Sequence, residues 1–179
     1  MSSQLPAFAK TATAKRDYTL DWATLHAPGD NLSGVVWTVP GGLTNVASGV
    51  TGGLGTIRLS GGTLDQTYLV RGKGTRASGR VDTRSFQIVI VPRVIFLVAT
   101  KDPTAVADYT LDASDLFGGD PPIAYAWTAS GISISGATNA ATVWLTGGVA
   151  GTTAYANCHV VSASGQEDDR SIELTIQDL

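Results

Sequence analysis

The stretch Asp17-Tyr18-Thr19-Leu20-Asp21 recurs ninety-one residues later as Asp108-Tyr109-Thr110-Leu111-Asp112. Inside it polar and apolar residues alternate, with Tyr18 and Leu20 on one side and Thr19 and Asp21 on the other. That is the pattern of a half-buried strand. The identity continues downstream. Gly29-Asp30 recurs as Gly119-Asp120, and Trp37-Thr38 as Trp127-Thr128. At an offset of 86, Thr56, Leu59, Gly61, Gly62 and Thr67 return as Thr142, Leu145, Gly147, Gly148 and Thr153. At the same offset Ala77-Ser78-Gly79, Asp82, Arg84 and Ser85 return as Ala163-Ser164-Gly165, Asp168, Arg170 and Ser171. The drift from 91 to 86 requires a few deletions, all in expected loops. The chain is a tandem duplication of a unit of about ninety residues.

A length of 179 residues allows one domain or two, and the repeat decides for two. The expected divisions are a tail over 1–14, a first repeat over 15–91 and a second over 92–179. Each repeat is near the size at which a single core still holds a domain together. Charged residues make up only 15 % of the chain and glycines number 21, which suits a surface partly covered by partners. Net charge is −3 and no basic stripe is present, which argues against nucleic acid as a direct ligand. A single cysteine, Cys158, leaves no intrachain disulfide to form and suits a reducing compartment. The longest apolar run, Val94 to Val98, is too short to span a bilayer, so no membrane partner is expected. The N-terminus lacks a charged-then-apolar signal segment, and cytoplasmic synthesis is the expectation.

Strand signals follow one another at short intervals. The tail is expected to join a sheet only near Phe8. His26 to Asn31 reads as a loop punctuated by Pro and Gly. Val35 to Val39, centred on Trp37, stops at the turn Pro40-Gly41-Gly42. Gly49 to Gly55 reads as loop. Thr56 to Leu59, the run from Tyr68, and the alternation of Phe86, Ile88 and Ile90 complete the first unit. Val91-Pro92-Arg93 is a short join, which predicts two domains in a near-fixed relation. The second unit opens on Ile95 to Val98. It continues with Ala107 to Asp112, Ile123 to Thr128, Ala141 to Leu145, Ala154 to Val161 and Ile172 to Ile176. No 3.6-residue period lasts three turns, and the best helical candidate is the single turn Ala113 to Leu116. The prediction is an all-β chain of two tandem immunoglobulin-like antiparallel β-sandwich domains, with Trp37 and Trp127 as the buried central aromatics.

Few residues suggest chemistry. Asp82 and Arg84, like Asp168 and Arg170, lie two apart and share a strand face. They read as a same-face ion pair worth a few tenths of a kcal/mol, or as a binding surface used twice. Asp17, Asp21, Asp108 and Asp112 lack the spacing of a calcium loop and read better as the solvated face of a strand. His26 and His159 are not equivalent in the two units and have no second ligand at metal spacing. Cys158 shares a face with Ala154, Ala156 and Val160, the setting of an inert buried thiol. No nucleophile elbow or phosphate loop occurs, and no enzyme, cofactor or metal is expected. Trp22 and Trp144 stand where the other unit has Ala113 and Arg58, so each either fills a local gap or sits at an interface. Val94 to Val98 reads as an ordinary first strand, with pairing to another subunit as the competing account.

Each unit thus runs from Asp-Tyr-Thr-Leu-Asp through Trp-Thr to a Leu-Ser/Thr-Gly-Gly and a terminal Ser-Gly-x-x-Asp-x-Arg-Ser. The first copy adds Pro40-Gly41-Gly42-Leu43, and the second is preceded by Lys101-Asp102-Pro103, a lead-in that the first unit lacks. This resembles the small repeat domain of tailed bacteriophages described as a fibre-tail adaptor or neck/tail structural protein. The resemblance implies a virion structural protein in the tail or neck, made in the bacterial host cytoplasm. It also implies several copies in a ring-like assembly, holding fibres or adjoining ring proteins. The partners are then other virion proteins, and Trp22, Trp144, Asp17, Asp108, Asp82, Arg84, Asp168 and Arg170 are the interface candidates. The alternative is a capsid or tail decoration module that binds host-surface carbohydrate through Trp22 and Trp144.

Overall fold

The computed structural model, which describes residues 5–23 and 29–179, is built of β-strands. Contacts divide the chain into two units, Met1–Pro92 and Arg93–Leu179. The first unit holds β1 (Ala7–Lys10), β2 (Arg16–Asp21), β3 (Leu32–Thr38), β4 (Leu43–Thr51), β5 (Leu54–Gly61), β6 (Thr67–Arg76) and β7 (Val81–Ile90). One sheet has the order β1-β7-β6-β3 and the other β2-β5-β4. The second unit holds β8 (Ile95–Lys101), β9 (Ala107–Thr110), β10 (Pro122–Ser130), β11 (Ser133–Ile134), β12 (Thr142–Thr146), β13 (Thr153–Ser162) and β14 (Glu167–Ile176). Its sheets repeat the same scheme, β8-β14-β13-β10 and β9-β12-β11.

This is the immunoglobulin-like sandwich: strands three, six and seven in one sheet, strands two, four and five in the other. One pairing in each unit departs from the antiparallel expectation. β1 runs parallel to β7, and β8 parallel to β14. A parallel pair needs a long crossover, and here the remaining strands of the sandwich supply it.

Period-two alternation fills each core. In the first unit Tyr18, Leu20, Ile57, Leu59, Val70, Phe86, Ile88 and Ile90 point inward with Trp22. In the second, Leu111, Trp127, Val143, Leu145, Ala156, Cys158, Val160, Ile172, Leu174 and Ile176 do so. At about 25 cal/mol per Å² of apolar surface removed from water, such side chains supply the main stabilisation of each unit.

Three local expectations change, while Ile95 to Val98 lies in a first strand as expected. The tail joins the sheet along the whole of β1, and Lys10, Thr11 and Ala14 are buried. Gly49 to Gly55 is not loop: β4 runs to Thr51 and turns at Gly52-Gly53 into β5. The glycines masked a hairpin, because turn residues and an exposed Gly/Thr/Ser strand have similar composition. Ala113 to Leu116 is a turn, closed by Leu116 N–H donating to the Ala113 carbonyl at 3.2 Å. The strand of Ile95 to Val98 is bonded to β14. Residues 26–28 of the expected loop, His26 among them, lie outside the described residues.

Candidate interaction surfaces

Each residue of the repeated pentapeptide has a structural task. Tyr18 and Leu20 enter the first core and Leu111 the second, with Tyr109 partly buried against it. The Thr19 hydroxyl bonds that of Thr56 across the strands at 2.9 Å, and Thr110 bonds Thr142 at 2.7 Å. Asp21 accepts the Ala23 N–H and Asp112 the Ser114 N–H, each a turn that ends the strand. Only the leading aspartates differ. Asp17 forms a fork with Arg58 at 2.7 and 3.0 Å. Asp108 instead faces Trp144, its cross-strand neighbour.

The other repeated motifs are framework too. Asp30 accepts the Ser78 N–H and hydroxyl at 3.1 and 2.9 Å, and Asp120 accepts the Ser164 N–H at 3.2 Å. The Gly-Asp loop thereby clamps the Ala-Ser-Gly hairpin in each unit. Bonds to Ser162 and Ser164 hold the half-buried Asp120 carboxyl below the usual carboxylate range.

The glycine doublets seat a buried cation. Lys10 Nζ donates to the carbonyls of Thr11 and Gly61, both at 2.7 Å. Lys101 Nζ donates to Asp102 and Gly147 at 2.7 and 3.1 Å. Gly61 and Gly147 have φ of 78° and 75°. A Cβ on Gly62 would lie 2.4 Å from Ile90, and one on Gly148 would lie 3.0 Å from Ile176. Lys10 is therefore the counterpart of Lys101, and the first unit does not lack the lysine of the lead-in; only Asp-Pro is replaced by Thr-Ala. The pairing was hidden because alanine-rich sequence surrounds Lys10.

Trp22 is corrected as an interface residue. It is 0 % exposed, at the centre of the first core, with its ring centroid 6.1 Å from that of Trp37. A Cβ added to Gly55, Gly72 or Gly74 would lie 2.8 to 3.0 Å from Trp22. The aligned second-unit residues are Ala141, Cys158 and Val160, and the aligned partner of Trp22 is Ala113. A large residue facing glycines has been exchanged for a small one facing larger neighbours, which keeps core volume roughly constant. Twin core residues need not match when the opposite side compensates.

Trp144 is different: 46 % exposed, with an edge lying over Gly136, on the outward face of β12. Among the acid–arginine pairs, Asp168 and Arg170 meet at 2.7 Å with the Asp168 side chain fully buried. Asp82 lies 3.7 Å from buried Arg76, whose guanidinium also donates to the carbonyls of Asp30 and Trp22. Asp82, Asp168 and Arg170 thus pair with residues of their own units. Cys158 is buried, and desolvation pushes its thiol up to about 12. His159 Nδ1 lies 2.8 Å from Asp169 on the outer face of β13 and β14.

The signal that motif reading passed over is the distribution of charge. Residues 1–92 contain nine Lys and Arg against five Asp and Glu, a net of +4. Residues 93–179 contain three against ten, a net of −7. The overall −3 conceals two units of opposite sign.

A family profile described as "Podophage GP4 fiber-tail adaptor protein gp77" matches residues 10–89 and 101–175. The chain belongs to that family. This fiber-tail adaptor family gives the chain a structural role in the phage tail, and each matched segment opens on the buried lysine of its unit. No curated protein matches the chain. Among solved structures, the adaptor chain is similar to a chimeric titin Z1Z2 carrying an exogenous decorin peptide. The identity is 10 %, the coverage 99 % of this chain and 96 % of that one, and the TM-score 0.38. It is also similar to the tandem Ig repeats of Dlar, at 9 % identity, 97 % and 96 % coverage and TM-score 0.35. The sandwich topology of the adaptor rests on its own strand pairing.

Proposed function

We propose that the chain docks on the tail or neck and attaches fibres or adjoining ring proteins, in several copies around the tail axis. The observation that carries this reading is the contrast between conserved framework and divergent surface. The two units share strand order, hairpin clamp and buried lysine, yet carry net charges of +4 and −7. One scaffold used twice with different faces can make two different attachments. Its repeated residues are committed to turns, strands and core, which supports a structural rather than a catalytic role. Imaging of virions assembled without the chain tests the reading: tails should form without their fibres, and normally fibred particles would overturn it.

Trp144 supports a second reading, a module that binds host-surface carbohydrate on an exposed indole. The burial of Trp22 removes its other expected contact. A glycan array on the purified chain separates the two, since binding abolished by Trp144→Ala favours the second and no binding the first.

A further inference from the structure

Equivalent sheet faces of the two units differ in the sign of their charge. In the first unit, side chains on the β3-β6-β7 sheet that point away from the core include Val36, Arg71, Lys73 and Thr83. Val36, Lys73 and Thr83 are cross-strand neighbours. Arg71 and Lys73 are exposed, and no Asp or Glu takes an outward position on these strands. In the second unit Lys73 aligns with His159, and Thr83 with Asp169. The outward positions of β14 there carry Glu167, Asp169 and Glu173. The adjoining outward positions of β10 are Ala124, Ala126, Thr128 and Ser130, all small and exposed. Arg93 lies over the Tyr155 ring at 4.1 Å and is the cation placed beside this face. Two faces of one architecture thus differ in sign: Arg71 and Lys73 stand on the first, and Glu167, Asp169 and Glu173 on the second, where Glu167 and Asp169 flank His159.

We infer that the basic β3-β6-β7 face of one copy docks on the acidic β10-β13-β14 face of a second copy of this chain. Complementary potentials fix partner and register and speed encounter. Like-charged pairings of the same faces are disfavoured, so the contact is heterologous, between different faces. Repetition of such a contact closes a ring if the rotation permits and otherwise builds a filament. The inference rests on the reading that several copies meet in the virion, and it adds which surfaces touch.

Sedimentation velocity on the full chain tests it, at about 50 mM and about 0.5 M NaCl, where screening lengths differ severalfold. Self-association is expected at low salt and dissociation at high salt. The variants Arg71→Glu/Lys73→Glu and Glu167→Lys/Asp169→Lys/Glu173→Lys should each associate at least about tenfold more weakly alone. Mixed together they should associate again, because each then offers the face that the other lacks. Circular dichroism separates a lost contact from a lost fold, and the mixing arm is scored on folded variants. A wild-type chain that stays monomeric at low salt would overturn the inference, as would folded variants that associate normally or fail to recover on mixing. Fibre attachment in virions reads the underlying function separately. Fibres lost without the chain, alongside monomeric protein in solution, leave that function standing and the contact refuted.

Discussion

At the scale of single residues, the duplication acts as an internal control. Lys10 and Lys101 are both buried and donate to equivalent pairs of carbonyls, those of Thr11 and Gly61 and those of Asp102 and Gly147. Replacing either by Met leaves buried acceptors without their donor, a loss of about 1–3 kcal/mol. Urea unfolding of Lys10→Met and Lys101→Met should show similar losses in the two units. Trp22 makes the opposite case, a residue with no twin. Trp22→Ala should cost about 3–5 kcal/mol through the cavity it opens. Adding Gly72→Cys and Gly74→Val, the second unit's own solution, should recover part of that loss. A triple variant less stable than Trp22→Ala would show that the two cores are not interchangeable. Trp144 needs no compensation, and Trp144→Arg would recreate opposite Asp108 the pair that Arg58 makes with Asp17. Its effect on stability should stay within about 0.5 kcal/mol, as for exposed ion pairs.

At the scale of elements, the identity between the units runs through both strands and turns. Of the turns, the hairpin clamp needs a carboxylate facing a Ser N–H. The Asp120 carboxyl is held below the usual carboxylate range by bonds to Ser162 and Ser164. A depressed pKa adds stability above the unfolded value, and that stability is lost as pH falls through the folded value. The Tm difference between wild type and Asp120→Asn should therefore be present at neutral pH and shrink on acidification below about 3.8. On β13 the sign reverses. The Cys158 thiol is raised by burial to about 12, so its contribution is complete below the ordinary thiol value and is lost as pH rises toward 12. Native protein at pH 8 should react with a thiol reagent only as fast as it unfolds. Rapid labelling of the folded chain would contradict the burial of β13.

At the scale of the whole molecule, two sandwiches of one topology differ mainly in what they show to solvent. The first is aromatic inside, where Tyr18, Trp37 and Phe86 pack as a ring cluster, and basic outside. The second is mostly aliphatic inside and strongly acidic outside. Duplication supplies a stable frame, and divergence on its surface costs little, since exposed substitutions rarely change stability by more than about 0.5 kcal/mol. A tail component that must touch unlike neighbours gains two unlike faces in this way.

The sequence by itself determined the duplication, the all-β class and the approximate place of most strands. Period-two alternation and repeated turn residues are local signals, readable without knowing what they pack against. The same local logic misread Gly49 to Gly55, where turn and strand share a composition. Only the tertiary structure decided which members of the repeats are equivalent in space, as with Lys10 and Lys101, and which are compensated, as with Trp22 and Gly74. Packing depends on the opposite wall of the core, which lies far away in sequence. Asp-Tyr-Thr-Leu-Asp is a case of both. Its alternation announced a strand, but only the fold showed that Thr19 bonds Thr56, that Asp21 closes a turn, and that Asp17 and Asp108 face different partners.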